Sequence, residues 1–249
     1  MTQLIKVMYR NILENSIVTS TDENASFPLY RTYDRDIGKL FKFNSHPANL
    51  YIKADQGVVI EYPVDRLIIP VGHTLNGLNV KLQYSHTGAF AGEETDALSW
   101  AQADALIIDK AFTSFSERFW RLLITSDPAA PPALPEMFLT KSYQFARNIS
   151  WGFETGNRLN VVRNETLSGK VIVIKNGVPR KERVYDLTRI QSAQKTEFET
   201  WESVSEGIRS IYIEDEAAVV FFAEMIGEFK FRNEREGRWG LPLHLLEFI

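Results

Sequence analysis

Along the first half of the chain, apolar and polar residues alternate in short runs separated by turn residues. Residues 78–84 show it most plainly, with Leu78, Val80, Leu82 and Tyr84 falling on one face. Residues 49–53 alternate in the same way, and Phe41 and Phe43 flank Lys42. The stretches 57–62, 64–71, 105–109 and 118–125 are apolar runs of strand length. Residues 1–10 alternate loosely, as an edge strand would. Residues 11–24 are polar around Ile17 and Val18, residues 27–33 bring aromatics into a loop, and residues 85–99 read as a polar, glycine-containing loop. No helix of normal length is evident before residue 127. Short strands with turn signals between them predict a β-sandwich.

Residues 126–136 interrupt this pattern with Pro128, Pro131, Pro132 and Pro135. Proline fixes φ and removes a backbone donor, so such a run reads as a stiff spacer. It divides the chain into a sandwich over 1–127, a linker over 128–136 and a second module over 137–249. The second module again reads as strands, over 137–145, 158–163, 169–177, 183–187, 209–215, 217–223, 225–231 and 239–249. Asn176-Gly177 predicts a hairpin joining 169–177 to 183–187. One amphipathic helix is expected over 188–205, with Ile190, Phe198, Trp201 and Val204 on one side and Gly207 as its stop. The fold class is therefore all-β: two β-sandwich or barrel modules, the second with one flanking α-helix.

Composition narrows the function. The 249 residues carry a net charge of −4, with 12 basic and 15 acidic groups in 1–127 and 16 and 17 in 128–249. Neither half has the basic excess of a nucleic-acid binder. There is no cysteine, which excludes disulfides, thiolate metal sites and a cysteine nucleophile. No apolar run approaches the ~20 residues needed to span a bilayer. Lys6 and Arg10 interrupt the first apolar stretch, so no signal peptide is expected and a soluble protein made in the cytoplasm is.

Enzyme constellations are absent from the sequence. It has no Walker A pattern, no GxGxxG and no Gly-x-Ser-x-Gly elbow. His46, His73, His86 and His244 lack close ligand spacing, although His73 and His86 could meet across strands. Glu93, Glu94 and Asp96 form either a solvated loop or an oxygen-rich calcium site. Glu214, Asp215 and Glu216 read as a charged hairpin tip or, less simply, as a glycosidase carboxylate pair. No catalytic residue, cofactor or metal is assigned. The binding candidates are the loop aromatics Tyr30, Tyr33, Trp100 and Trp151. The basic cluster Arg180, Lys181 and Arg183 is either a solvated strand edge or a contact with an acidic surface on a neighbouring subunit.

Two resemblances add to this reading. The early Asn49-Leu-Tyr51, the strand Val64-Asp-Arg-Leu-Ile-Ile-Pro70 and the turn His73-Thr-Leu-Asn-Gly77 are similar to the galactose-binding-like, discoidin-type jelly-roll family. So are the strand Val80-Lys-Leu-Gln-Tyr-Ser85 leading to Trp100 and the closing Arg118-Phe-Trp-Arg-Leu-Leu-Ile124. The likeness covers roughly residues 40–126. Over 137–249, the strand containing Ile211-Tyr-Ile-Glu-Asp215, the single helix and the closing Trp239-Gly-Leu-Pro-Leu-His-Leu-Leu-Glu247 resemble distal-tail and tail-tube proteins of long-tailed bacteriophages. Together the resemblances imply a virion protein made in the host cytoplasm: a structural, non-enzymatic component of a tail tip or baseplate. It would form a homo-oligomeric ring with other tail proteins as partners. The alternative they imply is a carbohydrate-binding module that recognises a host-surface glycan.

Overall fold

The alternating runs become strands in a computed structural model. It describes residues 4–58, 61–145, 154–158, 161–165, 171–175, 179–205, 210–215, 217–226, 229–235 and 237–248. The first strand, β1 (Lys6–Met8), pairs with strands from the far end of the chain. The chain accordingly divides into one unit over Arg10–Ser142 and another made of Met1–Tyr9 with Tyr143–Ile249.

The Arg10–Ser142 unit is a sandwich. Its larger sheet takes β2 (Ile17–Ser20), β4 (Leu50–Asp55), β6 (Asn79–Ser85), β7 (Thr95–Ala101) and β9 (Phe119–Ile124), ordered β2-β4-β9-β6-β7; β3 (Phe41–Lys42) lies outside it. Facing it are β5 (Val64–Ile69), β8 (Ile108–Phe115) and β11 (Phe138–Thr140), ordered β11-β5-β8, while β10 (Ala133–Leu134) pairs with β3. Alternate side chains enter a common core: Leu50, Ile52 and Ala54 from β4, Val80 and Leu82 from β6, Trp120, Leu122 and Ile124 from β9, met by Leu67 and Ile69 from β5. Each buried Val, Leu or Ile among them contributes about 1.5–3 kcal/mol through removal from water.

Several expected elements move. Residues 57 and 58 and 61–63 are not strand; β4 ends at Asp55, where Gly57 turns the chain at φ 86°. The expected loop 85–99 turns into β7 from Thr95 onward, where Ala97 and Leu98 pack on the core. The strand expected over 105–109 runs instead from Ile108 to Phe115.

The proline-rich stretch is not a linker. Ala133 and Leu134 pair with Lys42 and Phe41, the Ala133 N–H donates to Thr74 Oγ1 at 2.8 Å, and the Phe43 N–H donates to the Pro132 carbonyl at 3.0 Å. Pro132, Pro135 and everything from Ala133 to Thr140 are buried. Proline's missing donor is tolerated where a strand is short and at an edge, so the run docks on the sandwich instead of spanning a gap. The expected boundaries at 127 and 137 thus fall inside this unit. Residues 137–145, read as one strand, split into β11 here and β12 (Tyr143–Gln144) beside β1.

In the other unit β1 is not an edge strand. It lies between β12 and β17 (Ile211–Glu214). Beyond β12 come β13 (Glu154–Arg158), β14 (Val161–Glu165), β15 (Val171–Lys175) and β16 (Arg180–Gln191). The helix α1 (Ser192–Ser205) follows, then β17, β18 (Val220–Met225), β19 (Arg232–Arg235) and β20 (Arg238–Glu247). The main sheet runs β12-β1-β17-β18-β20-β16-β13, with β19 also on β20. Pro242 breaks no ladder on the β18/β19 side. It falls between the residues that pair with β18 and those that pair with β19.

β15 pairs with the preceding β14, not with 183–187, which pairs with β13 and β20. Asn176-Gly177 lies outside the described residues. Only Met225 of the expected 225–231 strand is strand among the described residues there. The helix starts four residues later than expected, because β16 continues to Gln191 through a bulge at Arg189, whose φ is 57°. Gln194 Oε1 accepts the Gln191 N–H at 3.2 Å, a local cap. Phe198 and Trp201, one turn apart, bury against the sheet; Phe198 stacks on Phe145 at 5.2 Å and Trp201 meets Phe229 edge-on at 4.9 Å.

Candidate functional site

The residues expected to bind are not gathered in one place. Tyr30 is 50% exposed in a short 3-10 turn, whereas Tyr33 and Trp100 pack against the sandwich core; Trp100 donates from Nε1 to Gln102 at 3.0 Å. Trp151 lies outside the described residues. Arg180, Lys181 and Arg183 sit on β16, an interior strand between β13 and β20, which corrects both the edge and the subunit-contact readings for Arg183. Arg183 is buried, bonded to Asp215 and Glu247, with its guanidinium 3.9 Å from the centre of the Phe221 ring. Arg180 donates to the Glu247 carbonyl and covers Phe248 at 4.1 Å. Lys181 is exposed.

The other sequence candidates are likewise committed. His73 is buried, with Nε2 2.7 Å from the Leu106 carbonyl, and His86 lies 3.7 Å from Glu117. The two histidines flank opposite ends of β6 and do not meet. Glu214 and Asp215 are not a solvated tip. Both are buried, Glu214 bonded to Lys6 at 3.0 Å and Asp215, just past the end of the strand, to Arg183 at 2.9 Å. Among the described residues no group of three or more His, Asp or Glu is placed to hold a metal ion.

The outer face of the five-stranded sheet carries an organised set that the sequence did not single out. Strand alternation sends Ile52, Leu82, Trp120 and Leu122 inward. It leaves Lys53, Arg121, Gln83 and Asp96 as successive cross-strand neighbours on the other side. Arg121 Nε and Nη2 donate to Gln83 Oε1 at 3.0 and 2.6 Å, Gln83 Nε2 donates to Asp96 at 2.7 Å, and Lys81 donates to the same carboxylate at 2.7 Å. Glu94 lies 3.5 Å from Arg121. The Arg121 guanidinium is 4.3 Å from the centre of the Phe90 ring and 5.8 Å from that of Tyr51. An arginine held over aromatic faces, with its donors fixed by an amide, is a rigid presentation of hydrogen-bonding groups.

Loop residues 86–94 complete the set. Glu93 accepts from Ser85 at 2.7 Å, Thr87 at 3.0 Å and the Phe90 N–H at 2.8 Å, and the Ser85 bond leads in holding its pKa below the ordinary value. Backbone N–H groups, its own and that of Gly92, do the same for Glu94. Burial pushes Asp96 up, but Lys81 and Gln83 outweigh it and the net shift is downward. Burial lowers Arg121 from its ordinary value against the pull of Glu94. These carboxylate oxygens are already engaged by N–H and O–H donors, so the arrangement does not fit the calcium site weighed for Glu93, Glu94 and Asp96.

Gly88 lets the loop close. Its φ is 77°, and a Cβ there would lie 2.7 Å from the Phe119 ring. Gly88→Ala is expected to cost about 1–2 kcal/mol from the left-handed backbone alone. Urea unfolding measures it, and a loss below about 0.5 kcal/mol would mean that the loop shifts at no cost.

No family model and no curated protein matches the sequence. Solved structures do. Chitosan-binding module 1 from a chitosanase/glucanase of Paenibacillus sp. IK-5 is 17% identical over 53% of this chain and 99% of its own, with a TM-score of 0.46. Module 2 of the same enzyme, in complex with chitotriose, is 16% identical over 53% and 100%, with a TM-score of 0.44. A Clostridium perfringens structure in complex with GalNAc-β-1,3-galactose is 11% identical over 53% and 100%, also at 0.44. This chain is similar in structure to these carbohydrate-binding modules.

Proposed function

We propose that the sandwich unit binds a neutral, hydroxyl-rich glycan on the outer face of its five-stranded sheet. The observation that carries this is Arg121, fixed by Gln83 and set against the Phe90 and Tyr51 rings. Sugars present hydroxyls that both donate and accept, and C–H faces that lie on aromatic rings. Planar amide, carboxylate and guanidinium groups beside two rings match both demands. Lys53, Lys81 and Arg121 balance Glu93, Glu94 and Asp96, so the face suits a neutral ligand better than a polyanion.

The tail-tip assembly role expected from the sequence lacks a comparable foothold. Of the basic cluster weighed as a contact with a neighbouring subunit, Arg180 and Arg183 are engaged within their own sheet and Lys181 is exposed. The proposed activity is binding rather than catalysis.

The test is a glycan array probed with the intact protein, followed by titration calorimetry on the best neutral ligand. Phe90→Ala and Tyr51→Ala are each expected to weaken binding about tenfold, the size of one aromatic contact. Binding that ignores both substitutions, or that is confined to sulfated and sialylated glycans, would sink the proposal.

A further inference from the structure

A second organised cluster lies in the same unit, where the proline-rich stretch docks. Glu136 is fully buried and follows Pro135. Its Oε2 accepts the Arg35 N–H at 3.0 Å, and Asn11 Nδ2 approaches Oε1 at 3.4 Å while donating to the Met137 carbonyl at 2.9 Å. Asn11 Oδ1 also accepts the Leu139 N–H at 3.2 Å, so one asparagine ties Glu136 and the residues that follow it to the start of the unit. The Arg35 guanidinium binds both oxygens of Glu14 and lies 5.3 Å from the centre of the Phe138 ring. Arg35 itself is held at φ 59°, a left-handed conformation that costs energy for a side chain with a Cβ.

The charges facing Glu136 come from two elements. The 3-10 turn Ile12–Asn15 supplies Glu14, and the turn at residues 34–39 supplies Asp34 and Arg35, with Lys39 bound to Asp36 and 3.9 Å from Asp34. The Arg35 guanidinium is already bound by Glu14, and Lys39 is the cation nearest Asp34. Burial, together with the charges of Asp34 and Glu14, pushes Glu136 well above the usual carboxyl range, and Arg35 only partly opposes it. An ionised carboxylate here loses hydration that two N–H donors do not replace.

We infer that Glu136 is a proton-operated latch on the docked segment 133–140. With its carboxyl protonated, the segment stays pinned between Asn11 and Arg35. As pH rises, ionisation favours the undocked segment, where water can solvate the charge. The direction follows from linkage: a carboxyl whose docked-state pKa is raised supports docking fully below its undocked value and loses that support as pH climbs toward the docked value. Release exposes Leu134, Met137 and Leu139, which belong to the sandwich core. The inference is independent of the glycan reading.

Hydrogen exchange of the intact protein at pH 5, 6 and 7, corrected for intrinsic exchange, tests it. In the wild type, opening of peptides covering 133–140 should rise by up to about tenfold per pH unit. Glu136→Gln should abolish the slope. A flat wild type, or an unchanged slope in Glu136→Gln, overturns the latch. If Glu136→Gln fails to fold, Glu14→Gln decides. It removes a charge that raises Glu136, so the slope should level off at lower pH, and a wild-type slope throughout would overturn the inference.

Discussion

A fragment running from Arg10 to Ser142 will unfold in one cooperative thermal transition, and a fragment ending at Asp127 will not. Cutting at Asp127 removes β10 and β11, the partners of β3 and β5. It also removes Leu134, Met137 and Leu139 from the sandwich core. At about 1.5–3 kcal/mol for each buried side chain, those three alone represent roughly 5–9 kcal/mol. Total stability of an ordinary domain is only about 5–15 kcal/mol, so the loss is of the same size as the whole. Thermal melts followed by near-ultraviolet circular dichroism measure this. A cooperative transition in the Asp127 fragment would show that the docked proline-rich stretch contributes little. The complementary piece 143–249 is expected to need residues 4–9 supplied in trans, because Ile5, Val7 and Tyr9 lie in its core.

The same elements show what was legible in the sequence. Alternation in 78–84 and 49–53 locates β6 and β4, because a strand with one buried face must alternate. Phe198 and Trp201 mark the helix by their spacing. What the sequence hid is long-range. That Lys6–Met8 pairs with residues 143–144 and 212–214 has no local signal, so β1 read as an edge and the boundary fell at the prolines. The prolines read as rigid, and their burial depends on partners, Thr74 and Lys42, that sequence proximity does not supply.

The candidate site was hidden for a related reason. Arg121 stands in the run Phe119-Trp-Arg-Leu-Leu-Ile124, which reads as buried throughout, so its outward face was overlooked. Gln83 and Asp96 become its neighbours only once β6, β7 and β9 are in register. The outward positions of β4 and β6, Tyr51 with Lys53 and Lys81 with Gln83, carried the available signal: planar and charged side chains at every second place.

Arg183→Met will destabilise the protein by about 3–5 kcal/mol without altering its association state. Arg183 reads as a surface residue, yet it is buried on β16, paired with Leu245 of β20. Its Nη1 donates to Asp215 at 2.9 Å, and its Nε and Nη2 donate to Glu247 at 3.2 and 3.1 Å. Burial alone would lower its pKa, but the Tyr185 hydroxyl, Glu247 and Asp215 reverse the sign and hold it above its ordinary value. Methionine keeps most of the volume against Phe221 but strands two carboxylates without their cation, and uncompensated buried charge is the costly half of such a change. Asp215 has other work, accepting the Ala217 and Val219 N–H groups at 2.9 and 3.0 Å, so it is the poorer site for relief. Glu247→Gln added to Arg183→Met should therefore recover about 1–2 kcal/mol, because it removes one stranded charge while keeping an acceptor. Chemical denaturation of the single and double variants, with light scattering on each, separates the alternatives. A single variant as stable as wild type but changed in oligomeric state would return Arg183 to an interface. A large loss with no rescue would mean that the arginine acts through packing on Phe221 and not through its charge.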